Sequence, residues 1–444
     1  ERLSTQSDES FTIATNPLHA IDKTDDHTEK IREMELQAKE KDKADRLASK
    51  RSEFLLPEKI IYLDGNSLGP VTKNATKRIK EVTEQEWGVG LIRSWNDSGW
   101  TDLPKKVGAK IAPLLGAQSE NVIMTDSTSV NLFKVLSVAC SINPSRKKIV
   151  TESKNFPTDN YIIEGVTKQL DKDFEIIYVD GREDIISQID KSVCVVVLTH
   201  INYKNGEMLD ISEITRAAHN AGALTIWDLA HSAGAVPLKL DKWKVDFAVG
   251  CSYKYLNGGP GAPGYLYVAD RHIGNYNQPL SGWFAHKSPF AFEPQYEPAE
   301  DISQYLCGTP PILSSIALDS ALDVWADVDL QDGRRKSLEL TDYFIELVEQ
   351  YCYDPALQLI TPRDHKLRGS QVSFTYPESG YAIMSALIEQ GVIGDFRAPN
   401  ILRFGFTPLY TSFSDVWLAV DKLKTILETK SWDQPRFHNR KVVT

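Results

Sequence analysis

Val193-Cys-Val-Val-Val-Leu-Thr199 carries β-branched residues at five of its seven positions and no polar residue at alternate ones. A strand with one wet face alternates apolar and polar side chains. A strand without that alternation is buried on both faces, as in a parallel sheet lying under crossover helices. Similar short runs recur on either side, at 122–125, 148–151, 175–179, 224–227, 247–249 and 264–268, separated by amphipathic stretches. The pattern predicts an α/β domain built on a mainly parallel sheet. Further along, the periodicity predicts a helix over 334–351, a strand over 371–376, a helix over 382–390, a strand over 401–406 and a last helix around 414–428. These make a second, smaller α/β domain at the C-terminal end.

Upstream of the sheet the texture differs. Residues 1–53 are polar and dense in charge, with isolated apolar residues such as Ile31, Met34, Leu36 and Leu47. They predict a partly disordered arm leading into a solvated helix. The folded body begins near Pro57 with Ile60-Ile-Tyr-Leu-Asp-Gly65 and a helix-like stretch over 72–87. The expected boundaries are an arm at 1–53, a large domain at 54–310 whose first segment, near 54–90, contributes to the small domain, and the small domain at 311–444.

Bulk composition narrows the function classes. The 444 residues are 41% hydrophobic and 25% charged, with a net charge of −11. No apolar run approaches the roughly 18 residues a membrane helix needs. Net negative charge disfavours nucleic acid and acidic lipid as partners and leaves small anionic ligands, held in a local basic pocket, as the better fit. Cys140, Cys194, Cys251, Cys307 and Cys352 are scattered and odd in number, without metal-ligand spacing, so no metal site is expected. They read as buried thiols of a reducing compartment, and Glu1-Arg-Leu-Ser-Thr lacks the apolar stretch of a secretory signal, so the cytoplasm is the expected location.

In open α/β sheets ligands gather at the carboxyl ends of strands, and the chemically capable residues fall there. Ala223-Leu-Thr-Ile-Trp-Asp228 ends in an aspartate, and 26 positions later Lys254 lies within Cys251-Ser-Tyr-Lys-Tyr-Leu-Asn-Gly-Gly-Pro-Gly261. Such a pair suits pyridoxal phosphate, which needs an amine to hold its aldehyde and a carboxylate to keep its ring nitrogen protonated. Each residue alone has a plainer reading, as a helix cap and a surface lysine. After the strand at 122–125, Thr128 and Ser129 stand where hydroxyls and free helix N–H groups can cradle a phosphate, though Ser127 or Thr128 serves equally as an N-cap. Phe156 and Asp159, in Asn155-Phe-Pro-Thr-Asp159, can stack on a flat ring and bond its edge, or simply pack in a turn. Thr199 adds a hydroxyl at the same rim, and His231 bonds either Asp228 or a cofactor unless it is a satisfied core histidine. Complementary groups at four separate strand ends exceed what packing alone explains.

Several longer words carry a family resemblance. Tyr62-Leu-Asp-Gly-Asn-Ser-Leu-Gly69, Trp87-Gly-Val-Gly-Leu-Ile-Arg-Ser-Trp-Asn96, Asn155–Asp159, Trp227-Asp-Leu-Ala-His-Ser-Ala-Gly-Ala-Val-Pro237 and Tyr253–Gly261 resemble kynureninase, in order and at compatible spacing. So do Leu280-Ser-Gly-Trp283, Cys307-Gly-Thr-Pro-Pro-Ile312 and Arg403-Phe-Gly-Phe-Thr-Pro-Leu-Tyr410. The resemblance covers roughly residues 54–440. It implies the aspartate-aminotransferase type of pyridoxal phosphate fold (fold type I) and a homodimer with active sites at the subunit interface. Carried over by motif, Lys254 is the cofactor-binding lysine, Asp228 the pyridinium partner, His231 its neighbour and Phe156 the stacking residue. Pro157, Thr158 and Asp159 line the same wall, with Thr199 as a further ring contact. Thr128, Ser129 and Tyr253 resemble the phosphate ligands, and Trp283 and Thr309 would reach the phosphate from the partner subunit. Ser67, Trp95 and Arg403 fall at substrate positions, Arg403 gripping the α-carboxylate.

The implied activity is hydrolysis of L-kynurenine to anthranilate and L-alanine in tryptophan catabolism, with Lys254 as α-proton base and Tyr253 as proton shuttle. Trp95 and Thr309 are the bacterial-type choices, which predicts a preference for kynurenine over 3-hydroxykynurenine. Two rivals differ at named residues. Cysteine desulfuration needs a nucleophilic cysteine late in the chain, and none follows Cys352. A non-catalytic interaction protein has no use for Lys254, Asp228 and Arg403 together.

Overall fold

A computed structural model describes residues 21–170 and 173–443. Its centre is a seven-stranded sheet in the order Val122–Met124, Tyr265–Val268, Phe247–Gly250, Leu224–Asp228, Val193–Thr199, Lys148–Glu152, Glu175–Val179. Only Tyr265–Val268 runs against its neighbours; the others share one direction. Every strand read from the sequence is present, displaced by no more than a residue or two at its ends. The absence of alternation has the expected cause. Val196 and Leu198 join Trp227 in a core on one face, while Val195 and Val197 join Ile226 and Phe247 on the other. Burying each such side chain is worth about 1.5–3 kcal/mol.

A second core lies beneath a four-stranded antiparallel sheet ordered Asp395–Arg397, Ile401–Gly405, Gln371–Thr375, Gln358–Leu359. The helices Leu330–Tyr351 and Phe413–Thr429 pack on it through Leu340, Phe344, Leu347, Val416 and Val420. Ile61–Tyr62 pairs in parallel with Val392–Ile393, so an early segment of the chain is built into this C-terminal region. The stretch read as one helix over 72–87 is an α-helix, Lys73–Glu81, continued by a π-helical segment, Val82–Gly90.

The N-terminal arm departs from its reading. Residues 1–20, expected to be partly disordered, lie outside the described residues. Ile21–Ala44 is a helix, but it is docked rather than solvated: Met34 and Ala38 are buried in the second core. The Asp42 carboxylate accepts the Phe413 N–H at 2.7 Å and the Ser414 N–H at 3.1 Å, satisfying free donors at the start of the last long helix. Two widely spaced apolar residues were too few to reveal a buried face.

Candidate active site

Thr199 and Asp228 are register partners on adjacent parallel strands, so the topology alone places their side chains side by side at the carboxyl rim. The loops leaving this rim enclose a cavity of about 150 Å³. Its lining includes Thr128, Ser129, Phe156, Thr158, Asp159, Thr199, Asp228, His231, Tyr253 and Lys254. Ten sequence-predicted residues from five separate segments therefore meet in one space. A larger cavity of about 640 Å³ lies behind the lysine loop, but its walls are almost wholly apolar, and it offers no group suited to acid–base work beyond Tyr62.

Lys254 projects from a tightly held loop. Gly258 N–H donates to the Ser252 carbonyl at 2.8 Å, and Gly69 N–H donates to the Tyr253 carbonyl at 2.8 Å. A Cβ at Gly69 would stand 2.3 Å from Asn257 Oδ1 and 2.4 Å from the Lys254 carbonyl, so only glycine permits this approach. The motif at 62–69 thus buttresses the Lys254 loop from behind. Lys254 Nζ lies 3.2 Å from His231 Nε2. Burial, then the positive charges of Lys254, Arg403 and Arg397, hold the His231 pKa well below its ordinary value. His231 is therefore a neutral acceptor for the amine, and its buried Nδ1 has no partner.

Asp228 Oδ1 accepts the Ala230 N–H at 2.8 Å in the turn that follows its strand; the next regular element is the strand Phe247–Gly250, so the plainer reading of Asp228 as a helix cap does not hold. Against Asp228 sits Asp159, whose carboxyl is raised well above the usual range by burial and by the Asp228 charge. Thr199 Oγ1 stands 3.1 Å from Asp159 Oδ2 and also bonds Asn155 Oδ1. Tyr253 is held as a phenol: the Cys251 thiol beside it and burial both push it up. Ser127, not Thr128, is the N-cap of the helix Thr128–Ile142, accepting the Val130 N–H at 3.3 Å. That leaves Thr128 Oγ1 buried and unpartnered at the helix N-terminus.

These observations fit pyridoxal phosphate. Two adjoining buried carboxylates call for a cation such as a pyridinium nitrogen. The unpartnered Thr128 hydroxyl, with Ser129 and the helix N-terminus, provides a seat for a phosphate. Phe156, 45% exposed, meets Tyr203 edge-on at 5.2 Å and leaves an aromatic face free for a ring.

Other predicted residues lie apart within this chain. Pro157 opens the helix Pro157–Leu170 on its exposed side. Trp95 packs against Trp100 at 5.8 Å and Phe284 at 6.3 Å, and Trp283 packs edge-on to the same Phe284 at 4.8 Å. Thr309 is exposed. Ser67 and Arg403 form a second layer: Arg403 Nη1 donates to the Tyr203 carbonyl at 2.7 Å and Nη2 to Ser67 Oγ at 2.8 Å. Tyr203, in the segment Thr199-His200-Ile-Asn-Tyr203 read as offering hydroxyls at the rim, is on the cavity wall, whereas Asp64, Asp395 and Arg397 around Arg403 were missed. No local pattern marks them. Among the described residues no group of three acidic, histidine or cysteine side chains could hold a metal, and no helix is long and apolar enough to cross a membrane.

Solved structures share the architecture. A cysteine desulfurase from Thermococcus onnurineus aligns with a TM-score of 0.73 at 20% identity, covering 86% of this chain and 98% of its own. One from Escherichia coli aligns with a TM-score of 0.73 at 19% identity, covering 86% and 99%. Fold and site together define a pyridoxal phosphate enzyme of fold type I. A family model described as "Kynureninase C-terminal domain" matches residues 334–423. The kynureninase of Pseudomonas fluorescens is 53% identical over 407 residues, 91% of this chain and 98% of that protein; that of Burkholderia mallei is 50% identical over the same shares. The chain belongs to the kynureninase family.

Proposed function

We propose that the chain hydrolyses L-kynurenine to anthranilate and L-alanine, and the convergence of Lys254, His231, Asp228 and Asp159 in one cavity is the observation that carries this reading. When bound, pyridoxal phosphate supplies an electron sink for the carbanion formed beside the substrate amine. Thr128 and Ser129 would hold its phosphate, Phe156 its ring and Asp228 its ring nitrogen. Lys254, steered by neutral His231, takes the proton from the substrate α-carbon. Tyr253, kept protonated by its surroundings, donates a proton as the β,γ carbon–carbon bond is hydrolysed. Arg403 and Ser67 serve the α-carboxylate.

Cys251, the one cysteine lining this cavity, is pushed up by burial and is unsuited to act as the nucleophile that desulfuration requires. The proposed state is a homodimer whose partner supplies Trp283 and Thr309. The exposure of Trp87 (57%), Leu91 (59%) and Ile92 (77%), close to Trp95, supports an apolar partner surface there. The proposed compartment is the cytoplasm, which suits the five free thiols. Incubation of the holoenzyme with L-kynurenine should release anthranilate and L-alanine in equal amounts. Substrate loss without alanine, or sulfide release from cysteine at a higher kcat/KM, would overturn the assignment.

A further inference from the structure

Stacking on a cofactor ring rewards an aromatic side chain that is already held in one plane. The backbone of Phe156 is fixed, since its N–H donates to Asn155 Oδ1 at 2.7 Å and its carbonyl accepts the Asp159 N–H at 3.0 Å. Its ring is not fixed by the core. Among the described residues it joins none of the hydrophobic cores, and its one aromatic neighbour is Tyr203, with ring centres 5.2 Å apart and an interplanar angle of 88°. Such a perpendicular pair is directional, because the positive edge of one ring meets the negative face of the other. Both rings line the cavity that contains Lys254.

Tyr203 is in turn held from outside the cavity, by the four-stranded sheet. Gln371 and Ser373 lie two apart on one strand and share a face, and Arg403 stands directly across from Ser373 in the antiparallel register. These three side chains grip two consecutive carbonyls. Gln371 Nε2 donates to the Tyr203 carbonyl at 3.1 Å and Arg403 Nη1 to the same oxygen at 2.7 Å, while Ser373 Oγ donates to the Lys204 carbonyl at 2.6 Å. The turn is closed at Gly206, whose N–H donates to the Asn202 carbonyl at 2.9 Å and whose carbonyl accepts the Gly369 N–H at 2.9 Å. At Gly206 φ is +74°, and a Cβ there would stand 2.8 Å from Gln371 Cγ, so glycine is what lets the loop lie this close to the sheet. The loop cannot drift, and neither can the ring it carries.

We propose that Tyr203 is a positioning residue for the cofactor, its ring setting the plane of Phe156 while Gln371, Ser373 and Arg403 set the place of Tyr203 itself. Resting on Phe156 as the residue that stacks on the cofactor ring, it names what makes that stacking rigid. The ring of Tyr203 does this, not its hydroxyl.

The test follows cofactor release from the diluted holoenzyme by visible absorption, in wild type, Tyr203→Phe, Tyr203→Ala, Phe156→Ala and the double variant Tyr203→Ala/Phe156→Ala. Tyr203→Ala should weaken cofactor binding about three- to tenfold, the range expected of one aromatic pair. Tyr203→Phe keeps the ring and should stay within about twofold of wild type. The double variant should bind no more weakly than Phe156→Ala alone, because Tyr203 acts through that ring. Wild-type affinity in Tyr203→Ala, equal losses in Tyr203→Phe and Tyr203→Ala, or additive losses in the double variant overturns the proposal and leaves the stacking role of Phe156 standing. Undiminished affinity in Phe156→Ala overturns both. If Tyr203→Ala does not fold, Tyr203→Leu, which fills the space without a ring, takes its place, and wild-type affinity in that variant is the overturning result.

Discussion

Burial, and then neighbouring charge, set the protonation of His231 and Asp159 in the cavity. His231 is neutral because burial and three cations surround it, so it can accept from Lys254 instead of competing for the proton. Lys254→Ala removes the residue proposed as both cofactor tether and α-proton base. The variant should keep noncovalent cofactor, lose borohydride-fixable label and drop kynurenine turnover by several orders of magnitude; label on another lysine would refute the assignment. Asp64 permits a pH prediction. Its carboxyl is raised from 3.8 to about 7, mainly by burial and then by Asp395, against the opposing pull of Ser67, Arg403 and Arg397. A carboxyl with a raised folded pKa contributes stability that is complete below about pH 4 and is lost as pH rises through about 7. The Tm should therefore fall between pH 6 and pH 8, and Asp64→Asn should flatten that fall. Parallel pH profiles for the two proteins would exclude Asp64 as the cause. Residues such as Asp228 and Thr199 were legible because strands end at them. Asp64, Asp395 and Arg397 were not, since their significance arises only when distant segments pair.

At the scale of elements, the long β-branched runs declared themselves because burial on both faces leaves no room for polar residues. The three-residue strand Asp395–Arg397 and the two-residue strands Ile61–Tyr62 and Val392–Ile393 have too few residues to show a period. The helix Thr128–Ile142 hides a further device: Lys134, fully buried, ties Asp126 to the Tyr305 carbonyl and so links the loop proposed to hold the phosphate to the segment that runs on to Thr309. Lys134→Met keeps the volume and removes a buried charge, while the half-exposed Asp126 can rehydrate. Its effect on stability should stay below about 2 kcal/mol, yet cofactor affinity should fall about tenfold as Asp126 to Ser129 loosen. Thermal unfolding and cofactor titration separate the two effects, and unaltered affinity would deny the loop its anchor. The short helix Ser94–Asp97 carries Trp95, proposed as the substrate selector. A tryptophan leaves a buried 3-hydroxyl unpaired at a cost of about 1–3 kcal/mol, so Trp95→His should move the kcat/KM ratio toward 3-hydroxykynurenine by about tenfold. A fixed ratio would assign Trp95 to packing with Trp100 and Phe284 alone.

For the whole molecule, the decisive fact is what one chain's cavity does not contain. Thr128, Ser129, Asp228 and Lys254 are gathered at the sheet's rim, whereas Trp283 sits with Phe284, Phe290 and Phe292 in an aromatic cluster elsewhere, and Thr309 is exposed. If a partner supplies these last two across a twofold interface, each site is a composite of both subunits, and subunits damaged in different halves can rescue one another. Lys254→Ala protein and a Trp283→Ala/Thr309→Ala double variant, each nearly inactive alone, should regain activity when unfolded together and refolded. In a mixed dimer one site receives both lesions and the other receives none. Random pairing makes half the dimers mixed, so the expected recovery is about a quarter of wild-type turnover. A pair of variants on the same half, Lys254→Ala with Asp228→Ala, should recover nothing, because no pairing yields an intact site. Recovery in neither mixture would show that Trp283 and Thr309 act within their own subunit or not at all, while Lys254, His231 and Asp228 would keep their places in the cavity of the single chain.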